Sequence, residues 1–265
     1  MHPEILRIGD FPVSSFGLML VLSFVAAYFQ LRWGLRKLGA GDEDDAAALV
    51  FAAGFFGIVG AKVYYALLYQ NWRLLFDRSG LVWYGGFALA VVAVLWTVRR
   101  RRLPAWPTAD AMSLGLALGY AIGRVGCFLV GDDYGVPTEL PWGVAFPEGA
   151  APPSTAGNLR HQFGVEVPAE IPDSRLLEVH PTQLYETLAC LSIWAFGIFL
   201  LRRRPAPGVV GMAVLALFAV ERFLVEILRA KDDRFLGVMT VAQAISLVVL
   251  AVAVVLLLRR RRAVS

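Results

Sequence analysis

Apolar residues run through this chain in blocks of about 20, the length that crosses a bilayer as a helix. Seven blocks stand out, at roughly 15–33, 47–69, 82–98, 110–130, 184–201, 208–228 and 237–258. Polar or Pro- and Gly-containing stretches separate them. The pattern predicts an all-α, polytopic membrane protein of seven transmembrane helices. The first block is not expected to be a cleavable signal, because only Arg7 is basic ahead of it and no small-residue cleavage site follows. No repeat of about 20–50 residues and no linker divides the chain, so residues 1–265 are expected to form a single integral membrane domain.

Composition agrees: 58% of residues are hydrophobic and 17% charged, more apolar surface than a soluble domain could hide. The net charge of +4 matters less than where it falls. Arg32, Arg36 and Lys37 mark the end of the first block, Arg99 to Arg102 that of the third, Arg202 to Arg204 that of the fifth and Arg259 to Arg262 that of the seventh. Basic loops stay in the cytoplasm, so these alternate clusters predict an N-terminus outside and a C-terminus inside. They read as orientation signals and contacts to anionic membrane lipids, with no nucleic acid expected. The outward side then carries the N-terminal arm, short loops near 70–81 and 229–236, and a long loop at 131–183. That loop contains VPTELPWGVAFPEGAAPPS, which favours turns and extended pieces over helices. It is expected to form a periplasmic cap between helices four and five. The inward loops are short and basic, so chemistry belongs at the outer face or in the outer half of the membrane.

Several polar residues interrupt the apolar blocks. Lys62 lies in GIVGAKVYYALLY, Arg124 in GYAIGRVGCF, and Glu221, Arg222 and Glu226 in FAVERFLVEIL. A charge in hydrocarbon costs several kcal/mol, about 2.5 or more. One reading pairs Arg222 with Glu226, four residues on, and Arg124 with Asp132 or Glu221, as helix-to-helix ties. The other is an anion-binding cavity, because the planar guanidinium grips phosphate through two bonds and stays charged. Gly119, Gly123 and Gly126 leave room beside Arg124 for a helix or a ligand. In VWYGGF, Gly85 and Gly86 allow close approach of a neighbour or substrate, and Tyr84 suits a membrane interface. HPTQLYE gathers His180, Gln183, Tyr185 and Glu186 at the start of the fifth block. Pro181 suits a helix start, Thr182 could cap it, and Glu186 suits its first turns. Cys127 and Cys190 form neither a disulfide framework nor a metal pattern with His2, His161 and His180, and a thiol in an apolar helix packs rather than reacts. No metal and no cofactor are expected.

Five segments in this order resemble the prolipoprotein diacylglyceryl transferases across nearly the whole chain. They are HPEILRIGDFPVSSFGLML, YGGF, GRVGCFLVGDDYG, HPTQLYE and RFLVEILRAKDD. The resemblance implies a multi-pass enzyme of the bacterial inner membrane. It would move the sn-1,2-diacylglyceryl group of phosphatidylglycerol onto the lipobox cysteine of a prolipoprotein signal peptide. A thioether forms and glycerol 1-phosphate leaves, the first step of lipoprotein maturation. It implies that Arg124 binds the lipid phosphate and that Arg222 is a second essential arginine. Tyr84, Asp132 and Glu226 complete the catalytic candidates; Lys62, Gly85, Gly86, His180, Gln183, Tyr185 and Arg229 join Arg124 as substrate contacts. The chain departs from the family in four places. Tyr84 stands where many members have His, Phe16 where they often have Tyr, Cys127 where they often have Asn, and Asp132 at a Glu position. The proton acceptor is therefore open between Tyr84, Asp132, Glu226 and His180. A catalytically silent paralogue that binds lipid or lipoprotein is one alternative. An anion transporter is another, though no inverted repeat supports it.

Overall fold

A computed structural model describes residues 4–8, 11–76, 82–231, 234–235 and 239–262. The remaining parts of the N-terminal arm, with His2, and of the loops near 70–81 and 229–236 lie outside the described residues. The seven apolar blocks become long helices: α1 (Ser15–Leu38), α2 (Glu43–Leu68), α3 (Trp83–Arg100), α4 (Ala105–Val130), then α6 (Thr182–Arg202), α7 (Val209–Leu228) and α8 (Val241–Arg262). Between the fourth and fifth blocks lies a short α5 (Ala156–His161). Among the described residues, five helices, α1, α2, α4, α6 and α8, are long and apolar enough to cross a membrane, which makes this a polytopic membrane architecture. The other two are less uniform: α3 ends on Arg99 and Arg100, and α7 carries Glu221, Arg222 and Glu226. Strands are minor. Among the described residues they form three antiparallel pairs: β1 (Glu4–Ile8) with β2 (Phe11–Ser14), β3 (Val144–Ala145) with β4 (Glu178–Val179), and β5 (Arg234–Phe235) with β6 (Met239–Thr240).

Two compact units make up the fold, Ala26–Gly115 and the combination of Met1–Val25 with Leu116–Ser265. In the first, α2 starts on a reciprocal cap. The Asp42 carboxylate accepts from Asp45 N at 2.9 Å and the Asp45 carboxylate from Asp42 N at 3.1 Å. Glu43 receives Arg32 and Arg36 at 2.7 and 2.9 Å, and Asp45 receives Arg101 at 2.9 Å. These exposed pairs add little energy but fix which helix ends meet. Leu31, Leu35, Ala46, Leu49 and Ala111 form the core beneath them.

Further along, α2 and α3 pack through glycines. A Cβ on Gly60 would lie 2.3 Å from the Gly85 carbonyl oxygen, and one on Gly86 would lie 2.8 Å from that of Gly57. Small residues at such a crossing let backbones touch, the main source of helix association where no water is displaced. Gly60→Ala is therefore expected to destabilise the protein by about 1–3 kcal/mol through overpacking. At Gly57 the nearest neighbour of an added Cβ is 3.8 Å away. There, Gly57→Ala is expected to be neutral or stabilising, since alanine is the better helix former. Thermal unfolding in detergent reads the difference; equal shifts for the two variants would contradict the packing argument.

In the second unit, residues 131–181 are more ordered than their turn-rich composition predicts. Tyr134, Phe146, Leu159, Val179 and Ala230 form a buried core of their own. Tyr134 stacks on Phe146, ring centroids 5.1 Å apart, and its hydroxyl donates to the Pro152 carbonyl. Burial pushes that phenol up to about 12. Thr155 caps α5 by accepting from Asn158 N, a local signal that proline-rich surroundings obscured. Gly126 brings α4 against α1, where an added Cβ would meet Met19 at 3.0 Å.

Candidate functional site

The second unit gathers three arginines and three carboxylates into one connected array. Arg124 lies two turns before the end of α4 and is 7% exposed. Its Nη1 donates to the Asp133 carboxylate at 2.8 Å and to Cys127 Sγ at 3.5 Å, while Nη2 contacts Glu186. Glu186, in the second turn of α6, is fully buried. Its other oxygen accepts from the Tyr120 hydroxyl at 3.3 Å and lies 3.7 Å from Arg222 Nη1. Arg222 reaches Glu226 through Nη2 at 2.6 Å. On the far side of Arg124, Arg229 closes on the second oxygen of Asp133. The order is Arg229, Asp133, Arg124, Glu186, Arg222, Glu226, with every arginine beside a carboxylate.

Each partner offsets a desolvation cost that a lone buried ion could not meet; removing one member of such a pair costs about 3–5 kcal/mol. Yet the donors are not all used. Among the described residues, buried Arg124 Nε has no hydrogen-bond partner. A buried guanidinium with an open donor, next to two more arginines, is suited to an anion such as a phosphate diester.

Backbone geometry explains how the array forms. Gly131 and Asp133 both take left-handed backbone angles, φ +67° and +61°. Glycine does so freely and aspartate tolerates it better than most residues. That turn swings the chain back across the start of α6. There the Thr182 hydroxyl donates to the Asp133 carbonyl at 2.7 Å, and Gln183 donates to the Asp132 carbonyl. So Thr182, expected as a cap, does not cap: Pro181 holds the N-cap position without a side-chain bond. Val136 N donates to the Leu228 carbonyl at 2.8 Å, tying the turn to the end of α7. Gly135 sits in that contact, 2.5 Å from the Leu228 oxygen if it had a Cβ.

The expected tie of Arg222 to Glu226 is present. Arg124, however, meets Asp133 and Glu186 in place of Asp132 or Glu221. The Asp132 carboxylate accepts from Asp133 N at 2.9 Å and pairs with no arginine among the described residues. Burial first, then the neighbouring Asp133 charge, pushes the Asp132 carboxyl above its ordinary value. For Asp133, burial alone would do the same, but Arg229 and Arg124 outweigh it and hold it low. Asp132, Asp133, Tyr134, Phe163, Arg229 and Lys231 line a cleft of about 240 Å³.

His180 and Tyr185 form a separate group. His180 Nδ1 and the Tyr185 hydroxyl are 3.2 Å apart, and Trp142 Nε1 donates to that hydroxyl at 2.7 Å. Burial lowers the His180 pKa, which keeps the imidazole neutral at pH 7. Lys62, Tyr84, Gly85 and Gly86 belong to the first unit. There the glycine pair is taken up by α2, Lys62 is half-buried and Tyr84 is 58% exposed.

Sequence reasoning passed over Glu186 and Asp133. Glu186 was visible as a carboxylate inside an apolar helix, but its place near the helix start offered an ordinary explanation. Nothing in an Asp-Asp pair tells which member turns toward the arginines.

The sequence model of a family described as prolipoprotein diacylglyceryl transferase matches residues 3–259. Similar curated proteins include a phosphatidylglycerol–prolipoprotein diacylglyceryl transferase of Geobacter sulfurreducens, 28% identical over 88% of this chain and 84% of the relative. Others with that name come from Haemophilus influenzae, 29% identical over 92% and 87%, and from Thermosynechococcus vestitus, 29% identical over 93% and 88%.

Proposed function

The chain belongs to the prolipoprotein diacylglyceryl transferase family and transfers a diacylglyceryl group from phosphatidylglycerol to prolipoproteins; we propose that the arginine array is where it does so. The product is a thioether on the lipobox cysteine, and glycerol 1-phosphate leaves. The observation that carries the proposal is that Arg124 and Arg222, from two different helices, meet on the single buried carboxylate of Glu186.

The chemistry asks for such an arrangement. The cysteine sulfur attacks the glyceryl carbon, the C–O bond to phosphate breaks, and the bonding pair goes to the phosphate oxygen. Negative charge grows on the leaving group. Cations fixed beforehand in a dry site stabilise that charge without reorganising. Arg124 offers its open Nε donor to the phosphate, and Arg222 and Arg229 flank it. Glu186 and Glu226 hold the guanidinium groups in place while the lipid is absent. The thiol also has to lose a proton, because its reference pKa is about 8.5. We assign that proton to Asp132. Its carboxylate is free of arginine contact among the described residues, it lines the cleft, and its raised pKa makes it a better base than an ordinary aspartate. Glu226 is committed to Arg222.

For Tyr84 the expected result follows from the same assignment. Tyr84→Phe should lower turnover by less than about tenfold, well short of the 10²-fold or more that goes with losing a general base. A hundredfold loss would move the base to Tyr84. A large gain on Tyr84→His would mark this chain as a weakened form of the enzyme. Thioether formation on a lipobox peptide with phosphatidylglycerol in detergent measures both.

We further propose that α3 and α7 also cross the bilayer, giving seven spans in one bacterial inner-membrane domain. Support comes from α7, which turns its charges inward and exposes Leu215, Leu217, Val220, Leu224 and Ile227. With basic residues ending α1, α3 and α6 on the cytoplasmic side, the N-terminus and residues 131–183 face the periplasm. That segment, with its own small core, caps the site where the signal peptide arrives.

A further inference from the structure

The family motif directs attention to Asp132, yet the side chain that touches the arginines is its neighbour. We propose that Asp133 is a positioning residue for lipid binding: by bridging Arg124 and Arg229 it fixes the spacing of two guanidinium groups that grip the phosphate headgroup. One oxygen takes Arg124 Nη1 at 2.8 Å and the other takes Arg229 Nη2. A short carboxylate spanning two arginines sets their separation more tightly than a longer, more flexible side chain would.

Three features hold Asp133 to this task. Its backbone sits at φ +61°, a conformation few residues adopt without strain. The Thr182 hydroxyl donates to its carbonyl, and its own N–H donates to the Asp132 carboxylate, so both sides of the residue are pinned. The flanking segment is tied to α7 through Val136 N and the Leu228 carbonyl, immediately before Arg229. Thus α4 supplies one arginine, the end of α7 supplies the other, and Asp133 forms an ion pair with both. What Asp133 leaves open is equally telling. It takes up one terminal nitrogen of Arg124, while Nε stays without a partner among the described residues. The bridge orients the guanidinium without consuming the Nε donor. Because Asp133 pairs with both cations, it acts on lipid binding through them.

This rests on the diacylglyceryl-transfer reading, and the test separates the two. In steady-state assays with phosphatidylglycerol and a lipobox peptide, Asp133→Asn keeps the shape and the tolerance of left-handed φ but loses the charge. It is expected to raise KM for the lipid by about tenfold to a hundredfold, the range for losing a hydrogen bond between charged groups, with kcat changed less. Asp133→Gly, which keeps the backbone free to turn, should do the same. Arg229→Gln combined with Asp133→Asn should lose less than the product of the two single losses, since the two variants share the Asp133–Arg229 contact. Wild-type kinetics in Asp133→Asn, a loss confined to kcat, or losses that multiply in the double variant would overturn the proposal. A uniform drop in unfolding temperature with the lipid KM unchanged would overturn it too, in favour of a purely structural role. If the unaltered protein forms no thioether at all, it is the transfer reading that fails.

Discussion

Arg124→Lys is expected to reduce transfer by about 10³-fold while the protein remains inserted and monodisperse in detergent. The charge survives the change, so Glu186 and Asp133 are not left facing an empty, buried space. What disappears is the planar fork: the three N–H groups of an ammonium share one nitrogen, which cannot meet Glu186 and Asp133 from two separate atoms and present a third atom to a phosphate. Arg124→Ala should be equally inactive but also less stable, because Glu186 is fully buried and would lose its nearest cation. Comparing the two variants separates charge from geometry. Near-normal turnover in Arg124→Lys would mean that Arg124 serves the fold alone.

The second large effect is expected at Asp132. Asp132→Asn keeps the size of the side chain and can still accept from Asp133 N, so the turn should survive. Without a proton acceptor, kcat/KM should fall by about 10²- to 10⁴-fold. The pH profile carries a signature. A base works in its deprotonated form, so activity falls as pH drops through the carboxyl's pKa. Burial and the adjacent Asp133 charge raise that pKa, so the acid limb should lie above the range of an ordinary aspartate near pH 3.8. Asp132→Asn should abolish this limb. If the variant keeps both its rate and its acid limb, the proton goes elsewhere, with the neutral His180 next to be examined.

Much of this architecture was legible because hydrocarbon imposes a length and forbids unpaired charge. Block length gave the seven long helices, and Arg124 and Arg222 stood out simply by being where ions are expensive. The spacing of Arg222 and Glu226 announced their ion pair, since four residues apart is one helix face. Other parts depend on contacts that are distant in sequence. Glu186 earns its role only when α4 and α7 arrive on either side of it. Asp133 points at two arginines because Gly131 and Asp133 reverse the chain with positive φ, which no hydrophobic pattern encodes. The small core around Tyr134 and Phe146 joins residues from a proline-rich stretch to Ala230, so it too escaped a reading by local composition. Gly85 and Gly86 were read as making room for a neighbour or a substrate; within their unit, α2 is that neighbour.

The most direct test joins the two guanidinium groups in one assay. A purified preparation is incubated in detergent with phosphatidylglycerol and a lipobox peptide, and the peptide is weighed by mass spectrometry while glycerol 1-phosphate is quantified. The unaltered protein should yield the diacylglyceryl thioether and glycerol 1-phosphate in equal amounts, and folded Arg124→Lys and Arg222→Lys should each yield almost none. Product formed at the normal rate by either folded variant, or none from the unaltered protein, would contradict a shared phosphate site between α4 and α7.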